Sequence, residues 1–214
     1  RIEQFSKLAT FVKRIKEEHP NVILVDAGDR FTGNPYVDHA KEKGFPIISL
    51  MNDLGYEVGT LGNHEFDFGQ KILRARINDA TFPIICANIN SSRGELDSIP
   101  PYHIIEKDGI KLGFISFVQT ETDQIPSTNP ERLKDITFDH YLDKVEDYKP
   151  LKRQCDVLIG LTHLGVDKDS ILATQMPELD IIIGGHTHTL LETSKEINNV
   201  IIGQTGLKLQ YAGL

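Results

Sequence analysis

Four short apolar segments, each running directly into a loop of Gly, Asp, Asn and His, constrain the fold of this 214-residue chain most strongly. They lie in the ranges 22–29, 58–65, 157–165 and 181–188. Solid apolar runs of this kind are typical of strands that are covered on both faces, as in parallel sheets flanked by helices. Because the carboxyl ends of such strands bind ligands in open α/β sheets, the four loops can converge on one pocket.

Helical and extended patterns alternate along the whole chain. Apolar residues spaced by three and four predict a helix over about 3–18 that ends before Pro20. Further helices are predicted over 46–54, 69–79, 139–148 and 167–176, and strands over 21–26, 56–61, 82–88, 156–161 and 180–183. Hairpins are predicted at Asp108-Gly109 and at Asn198-Asn199, and the polar stretch 91–101 is predicted as a solvated loop. This pattern predicts α/β layers with mixed sheets.

Composition excludes several classes of function. The 23 basic and 31 acidic residues give a formal net charge of −8, and no basic stripe stands out, so binding to nucleic acid polymers is not expected. The longest apolar runs, of about four to six residues, are too short for a membrane span. Cys86 and Cys155 are too few for a disulfide framework, and we expect both to be buried as small hydrophobes.

The side chains at the four loops suit a metal ion. Asp29 offers carboxylate oxygens, Asn63 a carbonyl oxygen, and three histidines offer ring nitrogens: His163, His186 and His188. This mixture of oxygen and nitrogen without thiolate favours Zn²⁺, Mn²⁺, Fe or Co²⁺ over Ca²⁺. In an extended segment His186 and His188 would point to the same side. The remaining histidines are predicted to be ordinary surface or core residues: His19, His39, His103 and His140.

These motifs resemble those of a known family. The series Gly28-Asp29, Gly62-Asn63-His64-Glu65, Thr162-His163 and Gly185-His186-Thr187-His188 is similar to that of calcineurin-like metallophosphoesterases. The surrounding stretches 51–56, 61–67 and 82–89 more narrowly resemble the N-terminal catalytic domain of 5′-nucleotidases and 2′,3′-cyclic phosphodiesterases. The resemblance implies a four-layer αββα sandwich with two mixed sheets, a site for two divalent transition metals, and a periplasmic, secreted or surface-anchored protein.

The resemblance also implies a role for each motif residue. Asp29 would bridge two metals, with Asn63, His163 and His186 completing one of them and His188 serving the other. His64 would be the catalytic histidine outside the ligand set, and Asp67 the carboxylate that orients it. Glu65 is not needed in that role. No substrate-binding residue is predicted.

The resemblance further implies that residues 1–214 form a single catalytic domain trimmed at both ends. Family members open with a strand ending in Asp-x-His, whose two ligands have no counterpart in this sequence, and they carry a C-terminal nucleotide-binding domain. One metal site is therefore expected to be incomplete here. Metal identity and oligomeric state stay open.

The implied activity is hydrolysis of phosphate esters, in the manner of a 5′-nucleotidase, by a metal-bound hydroxide. The substrate would be a small phosphate ester such as a nucleotide, with His64 as general acid. Two alternatives stay open: a cyclic phosphodiesterase or sulfur-ester hydrolase on the same scaffold, and a catalytically silent metal-binding module. The presence of His64 and Asp67 argues against the silent module, and the incomplete metal site argues for it.

Overall fold

The computed structural model describes residues 2–96 and 98–213. Its α-helices are α1 (Ile2–Glu18), α2 (Pro35–Asp38), α3 (Phe45–Leu54), α4 (Gln70–Asp79), α5 (Val145–Tyr148) and α6 (Val166–Gln175). Its strands are β1 (Val25–Asp26), β2 (Val58–Thr60), β3 (Ile84–Ile85), β4 (Ile89–Asn90), β5 (Tyr102–Lys107), β6 (Ile110–Ile115), β7 (Thr137–Phe138), β8 (Val157–Leu161), β9 (Ile181–Gly184), β10 (Lys195–Ile197) and β11 (Val200–Gln204). None of the helices in these two ranges is both long and apolar enough to cross a membrane.

The strands form two main sheets. The smaller sheet has the order β1-β2-β3, and both of its pairings are parallel. The larger sheet has the order β10-β11-β9-β8-β6-β5 and is mixed, because its outer pairs β10–β11 and β5–β6 are antiparallel hairpins. The mixed strand order predicted from the hairpins is therefore seen in the larger sheet, whereas the described part of the smaller sheet is parallel. Strands β4 and β7 pair separately as a short antiparallel ribbon.

Three apolar clusters show how the layers are stacked. One cluster lies between the two sheets and contains Val58, Phe114 and Leu161. A second packs α3 and α4 onto the outer face of the smaller sheet, and a third packs α6 onto the outer face of the larger sheet. The order is thus helix, sheet, sheet, helix, which confirms the predicted α/β class and its four layers. Because each sheet is covered on both faces, its strands need apolar side chains on both faces, and this agrees with the solid apolar runs before the four loops.

Some local predictions were wrong. The helix predicted over 139–148 divides into a 3₁₀ turn at Tyr141–Lys144 and the short α5, followed by a second 3₁₀ turn at Lys149–Gln154. Buried side chains anchor both turns, so tertiary packing overrides the helical pattern. The predicted solvated stretch 91–101 has no helix or strand in its described part, but its Leu96 and Ile99 are buried in the core. Cys86 is buried as expected, and Cys155 is half-buried.

Candidate metal centre

The four predicted loops do meet, and both sheets supply them. Asp29 follows β1 and Asn63 follows β2 in the smaller sheet, whereas His163 follows β8 and His186 follows β9 in the larger one. The carboxyl ends of parallel strands lie at one edge of each sheet, and the two edges face a common cavity of about 380 Å³. The candidate centre therefore sits where the two sheets adjoin, as expected for ligand sites in α/β folds.

Asp29, His163 and His186 form the tightest group in this cavity. One potential ligand atom from each lies within 4.8 Å of the others. His163 Nε2 is 3.0 Å from Asp29 Oδ2, and the rings of His163 and His186 are 5.2 Å apart at their centroids. A carboxylate with two imidazoles is a ligand set typical of divalent transition metals. The structure thus brings at least three of the five predicted ligands within reach of a single ion.

The protonation of His163 supports a cation at this position. Its Nδ1 lies 2.6 Å from the carbonyl oxygen of Ala27, and since a carbonyl can only accept, Nδ1 carries the proton. Nε2 faces the Asp29 carboxylate, and this buried atom makes no hydrogen bond of normal geometry with the described residues. Two electron-rich atoms 3.0 Å apart repel each other unless a cation or a proton lies between them. Metal-binding histidines commonly donate a hydrogen bond from their second ring N–H group to a backbone carbonyl in this way.

The pKa shifts around the cluster show that positive charge is favoured between Asp29 and His163. Burial by itself disfavours the charged forms of both Asp29 and His163, but their mutual attraction outweighs it, so the pKa of Asp29 is lowered and the pKa of His163 is raised. Burial, assisted by His163, lowers the pKa of His186 to about 4. His186 is therefore neutral near pH 7 and has a lone pair available for a metal.

Asn63 joins the cluster through His186, since Asn63 Oδ1 is 3.1 Å from His186 Nδ1. His188 lines the same cavity but is exposed and lies outside the three-residue group. The extended geometry predicted for His186 and His188 is wrong, because their φ angles of 79° and 58° place the segment in a left-handed turn. Assignment of all five residues as ligands stays a prediction.

His64 and Asp67 form a pair beside the cluster. They occupy a 3₁₀ turn that begins directly after Asn63, and His64 Nδ1 lies 2.7 Å from Asp67 Oδ2. The hydrogen bond that His64 donates to Asp67 raises the pKa of His64 to about 9, so the half-exposed imidazole is protonated near pH 7. The backbone N–H of His64 also donates to Asp29 Oδ1 at 3.0 Å. A proton donor is thereby held next to the candidate metal ligands.

Glu65 is a structural member of the site that sequence reasoning set aside. Its side chain is fully buried and accepts backbone hydrogen bonds from Asp29 and Arg30, both at 2.8 Å, and from Gly62 at 2.5 Å. The carboxylate therefore ties the loop after β1 to the loop after β2. Gly62 approaches Asp29 so closely that a Cβ there would lie 2.3 Å from Asp29 Oδ1. The sequence alone does not show whether a glutamate beside the candidate catalytic His64 is buried in this way or exposed to solvent.

Comparison with known proteins decides the family. The sequence profile described as calcineurin-like phosphoesterase matches residues 1–190, which include all the candidate site residues. This chain belongs to the calcineurin-like phosphoesterase family. Divalent metal ions are used throughout that family, in agreement with the oxygen and nitrogen donors of the cluster.

Relatives within the calcineurin-like phosphoesterases are nucleotide-processing proteins by name. The chain is 32% identical to the trifunctional nucleotide phosphoesterase protein YfkN of Bacillus subtilis, covering 89% of this chain and 15% of YfkN. It is 30% identical to the 2′,3′-cyclic-nucleotide 2′-phosphodiesterase/3′-nucleotidase of Haemophilus influenzae, covering 98% and 36%. It is 33% identical to the 5′-nucleotidase of Rattus norvegicus, covering 90% and 34%. The chain thus spans about a third of these relatives' length, or less.

Solved structures of calcineurin-like phosphoesterases agree with the fold. The 5′-nucleotidase precursor of Thermus thermophilus superposes with a TM-score of 0.80 at 27% identity, covering 92% of this chain and 42% of the other. YfkN of Bacillus subtilis superposes with a TM-score of 0.75 at 30% identity, covering 92% and 72%. The four-layer arrangement is therefore shared with proteins of the same family.

Proposed function

We propose that this calcineurin-like phosphoesterase hydrolyses phosphate esters, most closely in the manner of a 5′-nucleotidase. The observation that carries the proposal is the placement of the His64–Asp67 pair against the cluster of Asp29, His163 and His186. A metal cluster alone would suit a binding module, but a protonated imidazole facing the same cavity is a feature of acid catalysis.

One metal ion would be held by Asp29, Asn63, His163 and His186. A second metal ion would share Asp29 and would also be held by His188. When bound, divalent metals of this type polarise phosphoryl oxygens and lower the pKa of a coordinated water from 15.7 to about 7. His64, held as the imidazolium by Asp67, would stabilise charge on the leaving oxygen and donate a proton to it. Asp67 would orient the ring so that Nδ1 faces the carboxylate and Nε2 faces the substrate.

We further propose a nucleotide as the substrate and a periplasmic, secreted or surface-anchored location. Named relatives support both proposals, because they include a mammalian 5′-nucleotidase and snake venom 5′-nucleotidases. A cyclic phosphodiesterase activity is the second candidate, and the Haemophilus influenzae relative, at 30% identity, favours it. Parallel assays with a nucleoside monophosphate and a 2′,3′-cyclic nucleotide separate the two candidates.

The test combines metal location with turnover. Crystals soaked in Mn²⁺ should show anomalous density among Asp29, His163 and His186, and added Mn²⁺ should promote hydrolysis of an aryl phosphate, of AMP or of a 2′,3′-cyclic nucleotide. Asp29→Asn should weaken Mn²⁺ binding, whereas the exposed control His19→Ala should not. Density only at other sites would contradict the metal centre. Metal binding without hydrolysis of any of the three substrates would favour the silent module.

A further inference from the structure

The carboxylate of Asp67 receives more hydrogen bonds than its pairing with His64 requires. Oδ2 accepts from His64 Nδ1 and from the hydroxyl of Thr32, both at 2.7 Å. Oδ1 accepts from the hydroxyl of Thr128 at 2.8 Å. An ionised carboxylate can only accept, and all three donors stabilise this charged form and hold it in one orientation.

These donors come from three separate parts of the chain. Thr32 follows β1 and neighbours Phe31, which is fully buried in the core. Thr128 lies in the long connection between β6 and β7, 61 residues beyond Asp67. That connection is anchored independently of Asp67, because Pro126 is buried and Asn129 caps the 3₁₀ turn Pro130–Leu133. Thr128 is therefore held in position by its own segment rather than by the carboxylate.

The residue beside Thr128 contacts a second member of the site. The carbonyl oxygen of Ser127 accepts a hydrogen bond from Asn63 Nδ2 at 3.0 Å. This contact fixes the orientation of the amide, since the nitrogen of Asn63 must face Ser127 and its oxygen must face His186. Two adjacent residues in one connection thus orient both the acid pair and a candidate metal ligand.

We propose that Thr32 and Thr128 are positioning residues, which clamp the Asp67 carboxylate from both sides and through it hold His64 in line with the substrate. The expected effect on kcat rests on the proposed hydrolytic function, whereas the hydrogen bonds that hold the Asp67 carboxylate do not depend on it. With a bond only to His64, the carboxylate could rotate about its Cβ–Cγ bond and carry the imidazole with it. The two hydroxyls remove that freedom, and loss of precise orientation slows an enzymatic step even when every reacting group is retained.

Isosteric substitutions test the clamp. Thr128→Val keeps the shape and removes the hydroxyl, and we expect kcat for an aryl phosphate to fall about 10-fold, in the range for loss of a supporting hydrogen bond. KM and the Mn²⁺ content should change little, because neither the cavity nor the ligand atoms are altered. Thr128→Ser keeps the hydroxyl and should restore kcat. Thr174→Val is the matched control, since its exposed hydroxyl donates to the carbonyl oxygen of Ser170 within α6.

A double-mutant cycle distinguishes a positioning role from a general structural one. In an Asp67→Ala background the hydroxyl has no carboxylate to hold, so Thr128→Val should cause no further loss of kcat. An equal loss in both backgrounds, or no loss in the wild-type background, would overturn the clamp.

A spectroscopic measurement does not depend on turnover. In ¹⁵N-labelled protein at fixed pH, the ring Nδ1–H proton of His64 should resonate far downfield, and Thr128→Val should broaden or shift it while Thr174→Val does not. An unchanged resonance would refute the clamp even if the wild-type protein is an active hydrolase. Conversely, a shifted resonance in a protein without activity would support the clamp and reject the proposed function.

Discussion

Replacement of Glu65 by glutamine tests whether the buried carboxylate holds the candidate metal centre together. Glu65→Gln changes one oxygen to an NH₂ group and leaves the size of the side chain almost unaltered. In the native protein Oε2 accepts from Asp29 and Gly62, and Oε1 accepts from Arg30. The amide can present its oxygen to only one of these two positions, so at least one backbone N–H loses its acceptor and faces another donor.

The expected loss follows from these three bonds. A buried N–H left unpaired costs about 1–3 kcal/mol, and each bond that changes from a charged to a neutral acceptor loses about 1 kcal/mol. Burial raises the pKa of Glu65, so removing the charge recovers part of this loss. A net destabilisation of about 3 kcal/mol results, which lowers Tm by about 6–12 °C for a chain of this length.

Urea unfolding followed by circular dichroism measures this free energy, and calorimetry with Mn²⁺ measures the consequence for the site. Mn²⁺ affinity should also fall, by about 10-fold, because Asp29 would no longer be tied to the loop after β2. The control is Glu95→Gln, which removes only an exposed ion pair of 3.4 Å with Lys71 and should change stability by about 0.5 kcal/mol or less. Equal stability of the two variants, together with unchanged Mn²⁺ affinity, would refute the role assigned to Glu65.

Three further predictions concern catalysis, pH dependence and packing. His64→Ala should lower kcat by about 10²–10⁴-fold with Mn²⁺ content unchanged, and loss of bound Mn²⁺ would show instead that His64 is a ligand. Burial raises the pKa of Asp169 to about 7, above its unfolded value of 3.8. The native protein therefore loses stability as the pH rises from about 4 to about 7, because the unfolded state ionises first. In urea unfolding, the stability of Asp169→Asn relative to wild type should rise by about 2–3 kcal/mol between pH 5 and pH 8. An equal difference at both pH values would contradict this. Gly184→Ala should destabilise the protein strongly, because its Cβ would lie 2.2 Å from Asp169 Oδ2. Gly203→Ala is the control, because a Cβ at Gly203 would have no heavy atom within 4 Å among the described residues. Equal Tm values for the two variants would refute the packing argument.

The strand-to-loop junctions could be identified from the sequence because their signal is local. A run such as Val157–Leu161 followed by Thr162-His163 indicates a covered strand and a polar loop without knowledge of any partner. Since parallel strands end at a common edge, the convergence of the four loops also followed. The α/β class was predicted in this way, whereas the four layers and the family were predicted from the resemblance of the loop motifs, and all three are confirmed. The ligand and catalytic roles of the seven site residues stay predictions.

Tertiary structure decided everything that depends on contacts between distant segments. Glu65 and Asp67 are two residues apart, yet one is buried under three backbone donors and the other is clamped by hydroxyls from two other loops. The backbone turn at His186 and His188 replaced the extended geometry that their spacing indicated. A sequence specifies which side chains can donate, accept or bind a metal, but the partner that each one finds is set by how the layers pack. For that reason the sequence indicated which side chains could bind a metal or transfer a proton, but it did not indicate that Glu65, Thr32 and Thr128 hold them in place.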